Sequence, residues 1–146
     1  MHRVERSVLV PYSAEQMFTL VAAVDEYPDF LPWCAGAKSH QNADGTLQVT
    51  IELVYHGVSA RFTTRNRNLP PKSIRMHLIE GPFRRLDGEW TFRQLRDDAC
   101  KVHLSLHYQF ASGLLGRLIA PVFEGIAVSL IDSFTRRAEA LYEEGS

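Results

Sequence analysis

The chain has 146 residues, 45% of them hydrophobic and 23% charged, which suits one domain (1–146) with one substantial core. Its formal net charge of -1 supplies no overall basic field to draw it onto DNA. Cys34 and Cys100 lack C-x-x-C spacing, no apolar run has the length of a membrane span, and strand-like sequence starts at once. These features predict a cytoplasmic protein without a signal or transit peptide.

Taken in chain order, His2 to Val10 alternates around Val4, Val8 and Val10 and predicts a strand. Ser13-x-x-Gln16 is a capping box, with Tyr12 and Met17 as a hydrophobic staple, and opens a helix to about Ala23. A helical turn over 25–31 is ended by Pro32. Strands follow at 46–55, 61–68 and 73–80, the second cut off by Pro70-Pro71. A hairpin pairs 90–95 with 100–110, whose Cys100, Val102, Leu104, Leu106, Tyr108 and Phe110 share one face. A long helix from about Pro121 to Glu143 closes the chain, with Pro121 in its first turn and an apolar stripe from Phe123 to Leu141. This order predicts an α+β fold with the long helix held against a curved antiparallel sheet, the helix-grip arrangement.

Two aromatic-proline blocks stand out of this pattern. The first is Tyr27-Pro28-Asp29-Phe30-Leu31-Pro32-Trp33-Cys34, and the second runs from Gly81-Pro82-Phe83 through Leu86 and Gly88 to Trp90 and Phe92. Stiff, apolar segments of this kind bury their rings either in the core or against a greasy ligand. Both blocks, in this order, resemble those of the coenzyme-Q-binding branch of the START-like superfamily. That superfamily also takes in bacterial ribosome-association toxins and polyketide cyclases. The resemblance implies a START-like domain with an internal apolar cavity, a lipid-carrier or chaperone role in respiration, and ubiquinone or a similar prenylated quinone as its bound ligand, with no covalent cofactor. It equally implies, as an alternative, a toxin-antitoxin protein that binds the large ribosomal subunit and blocks subunit association.

The cavity expected on this basis is lined by Phe30, Trp33, Val49, Ile51, Leu53, Phe62, Met76, Trp90, Leu104, Leu106 and Tyr108, and from the last helix by Phe123, Ile126 and Leu130. Tyr108, Tyr55 and Trp90 are the candidates for hydrogen bonds to a polar head, with Trp33 near the entrance. Leu114, Leu115, Leu118 and Ile119, in an apolar stretch with two glycines just ahead of the long helix, read as a gate that touches the inner membrane while ligand passes.

Catalysis has less support. The six histidines form no metal-ligand spacing, and no nucleophile elbow, P-loop or dinucleotide motif is present. The chain is therefore expected not to be an enzyme. A cyclase-like site would need Arg61, His77 or Tyr108 inside the pocket.

Charge is segregated along the chain. Residues 61–101 hold ten basic and five acidic side chains, 10 - 5 = +5, and the rest 6 - 12 = -6. Arg65, Arg67, Arg75 and Arg93 are expected on the outer sheet face, where they suit ribosomal RNA backbone or anionic head groups.

Overall fold

The computed structural model describes residues 2–143. Seven strands, β1 (His2–Val10), β2 (Cys34–Gln41), β3 (Leu47–Tyr55), β4 (Val58–Leu69), β5 (Ser73–Glu80), β6 (Phe83–Arg96) and β7 (Ala99–Phe110), form one antiparallel sheet in the order β1-β7-β6-β5-β4-β3-β2. Helix α1 (Ala14–Ala22) and a 3-10 turn (Val24–Asp29) carry the chain from one sheet edge to the other. Helix α2 (Leu114–Ala138), followed by a π turn (Glu139–Glu143), lies across the concave face. The expected helix-grip α+β fold is what forms.

Local chemistry accounts for the boundaries. Ser13 Oγ accepts from the Gln16 backbone N–H at 3.1 Å, and Gln16 Oε1 accepts from the Ser13 N–H at 2.9 Å, so the capping box closes α1 as its sequence requires. α2 buries Ile119, Phe123, Ile126, Ala127, Ile131, Phe134 and Ala138 at helical spacing. Phe123 packs edge-on against Phe62, Phe83 and Tyr108, and Phe134 against Tyr27, Phe30 and Trp90. The helix is thus clamped by aromatic rings near both ends of its buried stripe.

Four expectations need correction. α2 starts at Leu114, seven residues before Pro121, and runs through the proline, which removes one bond of the helical ladder. With Pro121 inside, the segment from Leu114 to Glu143 is by length and composition apolar enough to cross a membrane, contrary to the reading of the sequence. Its stripe is nonetheless packed on the sheet, although Leu141 stays exposed. β2 was not expected at all, since Cys34–Gln41 holds no β-branched or aromatic residue; it forms as an edge strand on β3, with a bulge between Cys34 and Gly36. β6 begins at Phe83 rather than Trp90. Its strand signal is diluted by Gly88, which the fold needs: a Cβ there would lie 2.6 Å from Leu106 Cδ2 and 2.8 Å from Met76 Cε.

Candidate functional site: an apolar cavity between sheet and helix

The inward faces of β3 to β7 and the underside of α2 line a cavity of about 110 Å³. Period-two alternation builds its sheet wall: Val49, Ile51 and Leu53 of β3, Phe62, Thr64 and Asn66 of β4, Met76 of β5, Leu86, Gly88 and Trp90 of β6, Leu104 and Leu106 of β7. Phe123, Ile126, Ala127, Leu130 and Phe134 form the roof, and Val24, Tyr27, Leu31 and Trp33 close the side. Twelve of the fourteen expected lining residues are therefore brought together, all but Phe30 and Tyr108.

Those two are displaced for physical reasons. Phe30 turns outward into a neighbouring cleft of about 520 Å³, where the Arg137 guanidinium sits 4.9 Å above its ring. Tyr108 is buried beside the cavity, stacked on His2 and edge-on to Phe123. Burial and the nearby Glu124 raise its phenol above the ordinary range. Tyr55, the other head-group candidate, is exposed in the outer cleft. Trp33 and Ile126 line both cavity and cleft, so together they form the partition between them.

The expected gate lies elsewhere. Leu114, Leu115 and Leu118 occupy the first turns of α2 and are exposed, Leu114 at 71%, whereas Ile119 is buried in the core. None of the four lines the cavity. A tight contact fixes these turns: a Cβ on Gly116 would fall 1.9 Å from the Ala111 carbonyl oxygen.

Sequence reasoning missed the polar residues of the wall. Thr64 Oγ1 donates to Asn66 Oδ1 at 2.7 Å, and both side chains are buried. A signal for them existed: Arg61, Arg65 and Arg67 mark one parity of β4 as its solvent face, which leaves Thr64 and Asn66 inward by default. Tyr27 is the remaining hydroxyl; it donates to the Val21 carbonyl, and burial pushes its phenol well above the ordinary range, so it stays neutral. Nearby, burial raises the Cys34 thiol and takes that of Cys100 up to about 11, which leaves both protonated and unreactive at neutral pH.

Among the described residues no group of three or more His, Cys, Asp or Glu is arranged to hold a metal ion. Arg61 and His77, two of the residues a cyclase-like pocket would need, face outward: Arg61 lies 3.8 Å from Glu52, and His77 Nδ1 lies 2.7 Å from Asp87 Oδ1. Strand register sends them there, so the cavity wall has no ionisable group beyond Tyr27.

The outer face of the sheet carries the four expected arginines. Arg67 on β4 stands directly opposite Arg75 on β5, and Arg93 on β6 opposite Lys101 on β7. Arg75 is held 3.1 Å from Glu89, while Arg65, Arg67 and Arg93 make no ion pair among the described residues. Like charges directly opposite each other weaken a sheet. Glu89 beside Arg75, and Asp44, whose carboxyl is lowered chiefly by its hydrogen bonds to Thr46 and further by Arg65 and Arg67, offset part of that repulsion.

Comparison with known proteins agrees with this architecture. The ribosome association toxin RatA of Escherichia coli (strain K12) is 38% identical over 142 residues, covering 97% of this chain and 90% of that one. The mitochondrial coenzyme Q-binding protein COQ10 homolog B of Xenopus laevis is 26% identical over 140 residues, covering 93% of this chain and 57% of its own. A START superfamily protein of Mycobacterium smegmatis superposes with a TM-score of 0.80 at 21% identity, over 97% of this chain and 99% of that one, which shows the shared fold. The model of the polyketide cyclase / dehydrase and lipid transport family matches residues 10–135, and the chain belongs to that family.

Proposed function

We propose that the protein is a carrier or chaperone for a neutral lipid of the prenylated-quinone type, held between sheet and α2 without chemistry on the ligand. The observation that carries this reading is the wall itself: an almost wholly apolar cavity with a few polar groups. Similarity to a protein described as coenzyme Q-binding supports it. Each buried methylene contributes about 0.8 kcal/mol relative to water. A tail leaving a bilayer gains little by the exchange, so selectivity has to come from cavity shape and the polar groups.

The cavity of about 110 Å³ is smaller than the few hundred Å³ usual for small-molecule sites. It takes only part of such a ligand. The remainder passes the Trp33–Ile126 partition into the outer cleft, and the exposed leucines at the start of α2 supply a membrane contact. An Ala127→Phe variant tests the assignment, because Ala127 is buried in the roof and the new ring projects into the cavity. Titration with a decyl-tailed ubiquinone analogue should quench the fluorescence of Trp33 and Trp90 in the wild type. In the folded variant the affinity should drop about tenfold or more; undiminished quenching would place the ligand elsewhere.

A second reading, association with ribosomal subunits, is favoured by the cluster of arginines on the outer face and by the similarity to RatA. Guanidinium groups on a flat sheet face suit phosphate contacts more than base reading. Reversal of Arg65, Arg67 and Arg75 to Glu should reduce co-sedimentation with ribosomal subunits about a hundredfold and flatten its dependence on salt. The same variant should retain quinone binding. Equal salt sensitivity in variant and wild type would remove this face from the account.

A further inference from the structure

Asn66 is only 7% exposed, faces the cavity from β4, and also borders a void of about 20 Å³ shared with Tyr27, Asn68 and Trp90. Because Thr64 Oγ1 donates to its Oδ1, the amide plane is fixed. Its Nδ2 makes no hydrogen bond among the described residues, and it keeps some open surface instead of being sealed in the wall. Next on the same strand face, Asn68 Oδ1 is buried without a partner. Amide groups are rarely left so inside a protein, and such groups mark places where something else completes the bonding.

We infer that Asn66 is the head-group receptor of the cavity, donating a hydrogen bond to a neutral oxygen at the polar end of an otherwise apolar ligand. The inference rests on the reading of the cavity as a lipid site and adds the chemistry and orientation of the ligand. None of the twenty-one lining residues is Asp, Glu, Lys, Arg or His. A carboxylate or phosphate brought inside would meet no counter-charge, and its desolvation would go uncompensated. A carbonyl oxygen, as in a quinone, needs only the donor that Asn66 offers.

Orientation follows from strand geometry. The Trp33 carbonyl accepts from Val54, which pairs with Ser59; Asn66 pairs with Leu47 at the other end of the β3–β4 ladder. The seven steps from Ser59 to Asn66 span roughly 23 Å of strand. A ligand with its head on Asn66 therefore points its tail at the Trp33–Ile126 partition, and it enters head first.

Displacement of the neutral fluorescent probe N-phenylnaphthylamine from the full chain tests this with three ligands: a decyl-tailed ubiquinone analogue, decylbenzene and decanoate. Asn66→Leu should weaken the quinone about tenfold while decylbenzene binds as well or better. Thr64→Val keeps Asn66 but frees its amide to rotate, so a loss of about threefold for the quinone alone is expected. This second variant decides the matter if Asn66→Leu does not fold. Losses that are equal for quinone and decylbenzene, or absent for both, would overturn the role of Asn66. So would decanoate binding to the wild type as tightly as the quinone. If neither neutral ligand displaces the probe from the wild type, the lipid reading itself fails, and with it any head group for Asn66 to receive.

Discussion

A Leu104→Glu variant is expected to lose its native fold, and not merely its ligand. Leu104 is 0% exposed at the centre of β7, paired with Arg6 of β1 and Trp90 of β6, and its side chain faces the cavity. Removing that side chain from the core costs about 2 to 5 kcal/mol, and a carboxylate with no counter-charge adds several more. The total approaches the stability of a whole domain, about 5 to 15 kcal/mol. The cooperative thermal transition followed by circular dichroism should therefore vanish or fall by about 15 °C or more. Ile126→Glu makes the informative contrast. Ile126 borders the outer cleft as well as the cavity, and Arg136 and Arg137 line that cleft, so the carboxylate can turn outward. It should fold at a cost of about 1 to 3 kcal/mol and still obstruct the partition. Equal melting of the two variants would contradict the sealed wall at Leu104.

The second large effect is expected at Gly116. Its Cα faces the Ala111 carbonyl so closely that any side chain would overlap backbone, which cannot rotate aside. Gly116→Val should cost about 3 kcal/mol or more and lower the melting temperature by about 10 °C. Hydrogen exchange over 114–120 should quicken as the first turns of α2 lift from the β7 end. Gly125 is the control on the same helix: a Cβ there meets nothing within 4 Å. Gly125→Ala should therefore stabilise by about 0.5 to 1 kcal/mol, as expected for a helix-interior glycine. If both substitutions behave alike, helical propensity rather than the Ala111 contact governs this end of the helix.

Much of this molecule was legible in its sequence where a side chain's period matched its element. The alternation of Val49, Ile51 and Leu53, and of Leu104, Leu106 and Tyr108, fixed which residues face inward, and the helical spacing from Phe123 to Phe134 identified the roof. Legibility failed where tertiary context overrides local preference. Cys34–Gln41 pairs as a strand only because β3 presents an open edge. Pro121 looked like a helix start, yet Ile119, buried just before it, holds the earlier turns against the sheet. On β4 a run of polar residues hid two environments. Its arginines face solvent, while Thr64 and Asn66 face the cavity just beyond a register shift between Thr63 and Thr64. Phe30 and Tyr108 failed for a different reason: each faces an aromatic cluster beside the cavity, and strand or turn position alone does not separate core from cavity wall.

A carrier function requires that the cavity hold a neutral lipid in the cell. Solvent extraction of freshly purified protein, followed by mass spectrometry of the extract, reads this directly. Near-stoichiometric isoprenoid quinone from the wild type, absent from folded Ala127→Phe protein prepared in parallel, is the predicted result. An extract free of lipid, from protein that also takes up no added quinone, would contradict the carrier reading and leave the arginine face as the site on which function turns.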